Sequence, residues 1–149
     1  MTLDRSRSAG YLTNWAARLF ARAIDRRLKA AGISSGQLPV FFALGDGRAL
    51  SQKALTEAAA IEQPTMAATL SRMERAGLVA RRPDPKDGRS TLVSLTSAGL
   101  TKMREVRSAV EAVNAGALGG LGPAEREAYL KALATIIGAL GAMVDGDER

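Results

Sequence analysis

Apolar residues recur every three or four positions along most of this chain, which is the period of a helix with one buried face. Over residues 11–31, Leu12, Trp15, Leu19, Ala23 and Leu28 keep that spacing, while Arg18, Arg22 and Arg26 follow one another on the opposite face. Like charges four apart cost about 0.2–0.5 kcal/mol per pair. Asp25 is placed to relieve them through Arg22 and Lys29. Gly32 is a C-terminal cap, and Ser34-Ser35 offers an N-cap for a second helix to Leu44, with Leu38, Phe41, Phe42 and Leu44 apolar. Gly45-Asp46-Gly47 is a break. Ser51 caps a short third helix to Ala60, with Leu55 and Ala59 inward, and Ile61-Glu62-Gln63 forms a brief joint. Pro64 suits the first turn of a fourth helix, where its missing N–H costs nothing; that helix runs to Ala76 and stops at Gly77. Met66, Leu70 and Met73 make its buried face, so Thr65, Ala68, Thr69 and Arg72 project from other faces.

Strand signals follow at residues 78–82 and 91–95, where Val79, Val93 and Leu95 are β-type residues. Between them lies the charged, turn-rich stretch Pro83-Asp84-Pro85-Lys86-Asp87-Gly88-Arg89-Ser90, in which Asp87-Gly88 is a hairpin signal. Thr96 caps a long helix to about Leu118, with Leu100, Met103, Val106, Val110 and Val113 spaced by three or four. Gly119-Gly120 breaks it, and Pro123 opens a last helix with Leu130, Leu133, Ile137, Leu140 and Val144 at heptad-like spacing. Residues 145–149 read as a polar, frayed end. The predicted fold class is mainly α with a small antiparallel β wing. A winged helix-turn-helix occupies residues 34–96, and helices at 1–33 and 97–149 flank it within a single domain. The outer helices carry more apolar stripe than so small a domain can bury, so they are expected to pack together and against a second copy.

Composition narrows the chemistry. The chain has 149 residues, 46% of them apolar and 24% charged, enough for one core. It has no cysteine and no histidine, which removes disulfides, thiol nucleophiles, cysteine zinc sites and every Ser-His-Asp triad. No carboxylate pair or lysine-activated serine forms a compact signature, and the acidic residues do not cluster like a calcium loop. No enzyme, no cofactor and no metal are therefore expected. The apolar stretch 132–144 contains glycine and falls short of the roughly 20 residues a membrane span needs. The N-terminus MTLDRSRSAGYL lacks a secretory pattern, so a cytoplasmic protein without membrane contact is expected.

The net charge of +6 and a pI near 10.3 favour a polyanionic partner. The excess sits mainly in residues 1–31, at +5, whereas residues 62–90 carry only +2 and residues 123–149 carry −2. DNA is therefore favoured by where particular side chains stand, not by the total charge. A helix-turn-helix sets its second helix in the major groove, N-terminal residues toward the bases. Here those residues are Gln63, Pro64, Thr65, Ala68, Thr69 and Arg72. Glutamine can pair bidentately with adenine, threonine can meet a thymine methyl, and arginine can fork onto guanine. Arg81, Arg82, Lys86 and Arg89 lie within nine residues on the hairpin, and an arginine on a narrow loop suits the minor groove. Ser51 and Gln52 stand at a helix N-terminus suited to a phosphate. A solvated helical hairpin explains the same spacing, because helix-turn-helix geometry also serves protein contacts.

One set of residues resembles a known family. Leu55 to Ala60, Ile61, Pro64-Thr65, Leu70-Ser71-Arg72-Met73-Glu74-Arg75-Ala76-Gly77-Leu78-Val79, Arg81, Asp87-Gly88-Arg89 and Leu95-Thr96-Ser97-Ala98-Gly99 are similar to the MarR family of bacterial transcriptional regulators. The pieces are specific as an ordered set, and the resemblance covers nearly the whole chain. It implies a homodimer built from the first, fifth and sixth helices, reading a pseudo-palindromic operator in double-stranded DNA. It implies that Arg89 reaches the minor groove and that Asp87 holds the wing or its arginine. It also implies a small phenolic or anionic effector between dimer body and DNA-binding lobe, with Trp15, Arg18, Phe41 and Phe42 as candidate pocket residues. The family's cysteine-oxidation branch is closed to a chain without cysteine. A repressor relieved by such a ligand is the expected function. A winged-helix protein-interaction module and a ligand-independent DNA-binding regulator are the alternatives.

Overall fold

Cap residues set the element boundaries. In the computed structural model, which describes residues 2–147, a 3-10 turn at Arg5–Arg7 leads into α1 (Ala9–Leu28), whose first turn is capped by Ser8. The Ser8 hydroxyl accepts from the Tyr11 N–H at 3.3 Å. A second 3-10 turn, Lys29–Ala31, ends at Gly32, where φ is +72°, a conformation glycine adopts without steric cost. Ser34 and Gln37 form a reciprocal capping box around the 3-10 turn Ser35–Gln37, which continues into α2 (Leu38–Leu44). The order then runs β1 (Leu50–Ser51), α3 (Gln52–Ala59), α4 (Gln63–Arg75), β2 (Val79–Asp84), β3 (Asp87–Leu95), α5 (Ser97–Ala117) and α6 (Pro123–Asp147). The fold is thus mainly helical with a small antiparallel sheet, in the order β1-β3-β2. Leu50 lies opposite Val93, and Val79 opposite Leu95.

The chain divides into two units, the first ending at Val113 and the second beginning at Asn114. The core of the first unit gathers Leu28, Phe41, Leu44, Leu55, Met66, Leu70, Met73 and Val93, each at most 1% exposed. Met66, Leu70 and Met73 are the stripe that the helical period predicts for α4, and Leu55 is the inward residue of α3. Thr96 joins the wing to α5: its hydroxyl donates to the Gly77 carbonyl at 2.6 Å and accepts from the Gly99 N–H at 3.1 Å. Gly99 lies against the Leu78 carbonyl so closely that a side chain there has no room. In the second unit the Glu125 carboxylate accepts from the Gly122 N–H at 2.9 Å and caps α6.

Several expectations are corrected. Leu12, Trp15 and Leu19 on α1 are 41–51% exposed, and its buried residues are Ile24 and Leu28. Within its unit, the chain that folds back on α1 is the stretch just after it, so only the last turns gain a cover. Asp25 pairs with neither Arg22 nor Lys29; its Oδ1 accepts from the Ser35 N–H and ties α1 to the start of α2. The hairpin is longer than its β-branched residues suggest. Pairing runs to Pro83 opposite Thr91, then shifts register past Gly88, Arg89 and Ser90 to Asp84 opposite Asp87, so the turn is Pro85-Lys86 and Asp87-Gly88 opens β3. Asp84 Oδ1 accepts from the Lys86 N–H at 2.9 Å and closes that turn. The two-residue strand β1 is too short to carry a period. α6 does not fray at residue 145 but continues through Asp147; Glu148 and Arg149 lie outside the described residues. α6 is also long and apolar enough to cross a membrane by length and composition, because glycines interrupt an apolar run without interrupting the helix.

Candidate nucleic-acid interface

α3 and α4 are held at their joint by backbone geometry and a ring of polar side chains. Ala60 takes a left-handed conformation, φ +51°, which turns the chain sharply between the helices. Ser51 caps α3, its hydroxyl accepting from the Ala54 N–H at 3.1 Å. Pro64 occupies the first turn of α4, as its missing N–H favours. Because Met66, Leu70 and Met73 fill the core, Thr65, Ala68 and Arg72 are left exposed on the far side of the helix. Gln63 and Pro64 are exposed at its N-terminal end, and Thr69 is half-buried. Ala68 adds only a methyl group to that exposed side.

The wing adds a second basic element. Lys86, Asp87 and Arg89 are all exposed at or beside its tip. Asp87 Oδ1 accepts from the Arg89 N–H at 3.0 Å, which holds the backbone under that arginine. Ser51 and Gln52 are half-buried. Their side chains already make internal contacts, Ser51 as the α3 cap and Gln52 in a polar chain. In that chain Arg81 Nε pairs with Glu74 Oε2 at 3.2 Å and Arg81 Nη1 donates to Gln52 Oε1 at 3.4 Å. Gln52 Nε2 then donates to Gln63 Oε1 at 3.2 Å.

A cleft of about 460 Å³ opens between α2 and the first part of α5. Its walls include Phe41, Phe42, Met103, Val106 and Val110, with Asp46, Arg107 and Glu111 as the charged groups. Phe41 is fully buried and serves the core, whereas Phe42 is 71% exposed. Trp15 and Arg18 do not line this cleft. The Trp15 ring instead meets Tyr11 edge-on at 6.2 Å and lies 5.4 Å from the Arg5 guanidinium. The structure therefore brings together only two of the four expected pocket residues. The Arg48 backbone N–H, and then its guanidinium, hold the Asp46 carboxyl below the usual carboxylate range.

This arrangement of helix pair and basic wing has known counterparts. The MarR family model matches residues 31–90, which span α2, α3, α4 and most of the wing. The transcriptional regulator HosA of Escherichia coli O111:H- is 34% identical over 99 residues, 66% of this chain and 73% of HosA. This chain belongs to the MarR family. The HTH-type transcriptional repressor NicR of Pseudomonas putida is 27% identical over 145 residues, 97% of this chain and 87% of NicR. Among solved structures, Bordetella bronchiseptica BpsR, described as regulated in DNA binding by 6-hydroxynicotinic acid, is 29% identical with a TM-score of 0.82. That likeness covers 91% of this chain and 97% of BpsR. The MarR-family chain is accordingly a DNA-binding transcriptional regulator of winged-helix fold, and its relatives are regulators, not enzymes.

Sequence reasoning missed what Arg81 and Glu74 do within this family fold. Arg81 counts among four basic wing residues, yet it is half-buried while its neighbour Arg82 is exposed. The signal was available: strand alternation puts Arg81 on the face of Val79, which is the inward one.

Proposed function

We propose that this MarR-family regulator is a homodimeric repressor that occupies a pseudo-palindromic operator and leaves it when a small aromatic anion binds. Gln63, Pro64, Thr65, Ala68, Thr69 and Arg72 enter the major groove, Lys86 and Arg89 meet the adjacent minor groove, and Ser51 and Gln52 approach a phosphate. Residues 34–96 form the DNA-binding lobe, and residues 1–33 and 97–149 supply the dimer body. The observation that carries this reading is the division of α4. Three of its residues are wholly buried, so Thr65, Ala68 and Arg72 stand free in the same unit as an exposed, basic wing tip.

The dimer is supported by apolar side chains that each unit leaves in solvent. Leu12 and Leu19 are exposed in the first, and Leu130, Ile137, Leu140 and Val144 in the second. α6 has the composition of a helix that packs on another apolar helix, and membership of a DNA-binding family supports that reading over a bilayer and supports a cytoplasmic location. The effector reading rests on the α2–α5 cleft, where Arg107 is the one cation among the described lining residues and stands with Asp46 and Glu111 beside apolar walls. BpsR and its hydroxylated aromatic acid support that ligand class, and NicR supports repression.

The test is binding to duplex fragments selected from the source genome, measured across salt. Log affinity should fall linearly with log salt, with a slope of about −0.9 for each phosphate neutralised. Salt-independent binding, or capture of other proteins with no duplex retained, would overturn the reading. Hydroxylated aromatic acids should release the selected duplex, and Phe42→Ala should weaken that release.

A further inference from the structure

A glutamine at the head of a reading helix ordinarily suits adenine, whose N6 donor and N7 acceptor match the amide oxygen and nitrogen together. The polar chain at the α3–α4 joint gives Gln63 a different chemistry. A carboxylate only accepts and a guanidinium only donates. Glu74 therefore takes the Arg81 Nε–H at 3.2 Å, and Arg81 presents Nη1 to Gln52 at 3.4 Å. Gln52 must answer with its carbonyl, which turns its NH2 group toward Gln63. Gln63 must in turn answer with its own carbonyl, at 3.2 Å. The bonds run outward from Arg81, to Glu74 on one side and through Gln52 to Gln63 on the other. Flipping either amide would set two N–H groups, or two carbonyl oxygens, against each other. The free end is the Gln63 Nε2, with two N–H donors, on a residue exposed at the start of α4.

We propose that Gln63 reads with its NH2 end, which Arg81 and Gln52 turn outward while Glu74 holds Arg81 in place, and that it selects guanine over adenine at its base pair. Guanine presents two adjacent acceptors, O6 and N7, in the major groove. Adenine offers N7 beside an amino group, which opposes the second N–H of the amide. Arg81 and Gln52 are positioning residues in this scheme: they face no base, but they decide which end of Gln63 does. The inference rests on the placement of α4 in the major groove.

The experiment is selection of the full-length protein on randomised duplexes, read by sequencing. Gln63→Ala identifies the dependent base pair, as the one whose preference disappears while the rest of the site stays enriched. Those retained positions report that the variant is folded. At the dependent pair the unsubstituted protein should enrich guanine over adenine by about fivefold or more, the scale of one good base contact. Gln52→Glu should reverse the polarity, because a carboxylate accepts from both Arg81 and Gln63 and turns the Gln63 carbonyl outward. Enrichment then moves to a base with a donor, adenine or cytosine. Gln52→Leu should free the amide and let adenine rise. The proposal is overturned if the unsubstituted protein prefers adenine there, if the preference survives both Gln52 variants, or if no position depends on Gln63. Failure to enrich any duplex would overturn the placement of α4 as well, which separates the two.

Discussion

Gly99 illustrates how much a missing side chain can decide. It sits in the first turn of α5, where an added Cβ would collide with the Leu78 backbone carbonyl and crowd the Leu95 Cβ at 3.3 Å. Leu78 belongs to the turn that joins α4 to the wing and Leu95 to the end of β3, so neither can move without disturbing the wing's base. Gly99→Ala should therefore destabilise the protein by about 1–3 kcal/mol, the usual cost of overpacking a tight site. A urea midpoint lowered with an unchanged slope would check it. Gly116, also helical, has open space around its Cβ position, and Gly116→Ala should gain roughly 0.5–1 kcal/mol. At this scale the sequence was legible where chemistry is local. Ser51 and Thr96 cap as their types predict, whereas the Ser8 cap starts α1 two residues before the predicted residue 11. It was misleading for Asp25, whose partner, the Ser35 N–H, lies ten residues away across a chain reversal rather than one helical turn along.

Among the elements, α4 was the most legible, because one buried stripe of Met66, Leu70 and Met73 defines both its span and its free face. The wing was less so. Its strands are extended by Pro83, Asp84 and Asp87, which have low strand propensity and pair only because the closed turn brings them together. The two elements should respond differently to loss of an arginine. Arg72→Ala on α4 should cost about 1–3 kcal/mol on the preferred duplex and relax preference at one base pair. Arg89→Ala on the wing should weaken binding to most duplexes alike and lower the salt slope by about one. Competition binding with matched and randomised duplexes separates the outcomes. Unchanged affinity in both variants would refute these roles.

For the whole molecule, the outstanding quantity is the apolar surface that a single chain leaves in water. Ile137 is 67% exposed and Leu140 53%, at helical spacing on α6. Burying a side chain of that size contributes about 1.5–3 kcal/mol, so the proposed dimer would gain from both copies. Ile137→Asp with Leu140→Asp should shift the protein from dimer to monomer in sedimentation, and operator affinity should fall with it. A double variant that remains a dimer would place the interface elsewhere.

The sequence by itself determined the order of the six helices and the hairpin, the Ser51 and Thr96 caps, the buried face of α4, the basic wing and the closure of thiol and histidine chemistry. Each depends on residue type or on spacing within a few positions. Only the tertiary structure decided which part of the α1 stripe is covered, that Trp15 and Arg18 stand apart from the α2–α5 cleft, and which end of the Gln63 amide is free. The last depends on Gln52, 11 residues away, and on Arg81, 29 residues beyond Gln52. Hydrogen-bond polarity passes through space from one side chain to the next, and no periodicity along the chain records it.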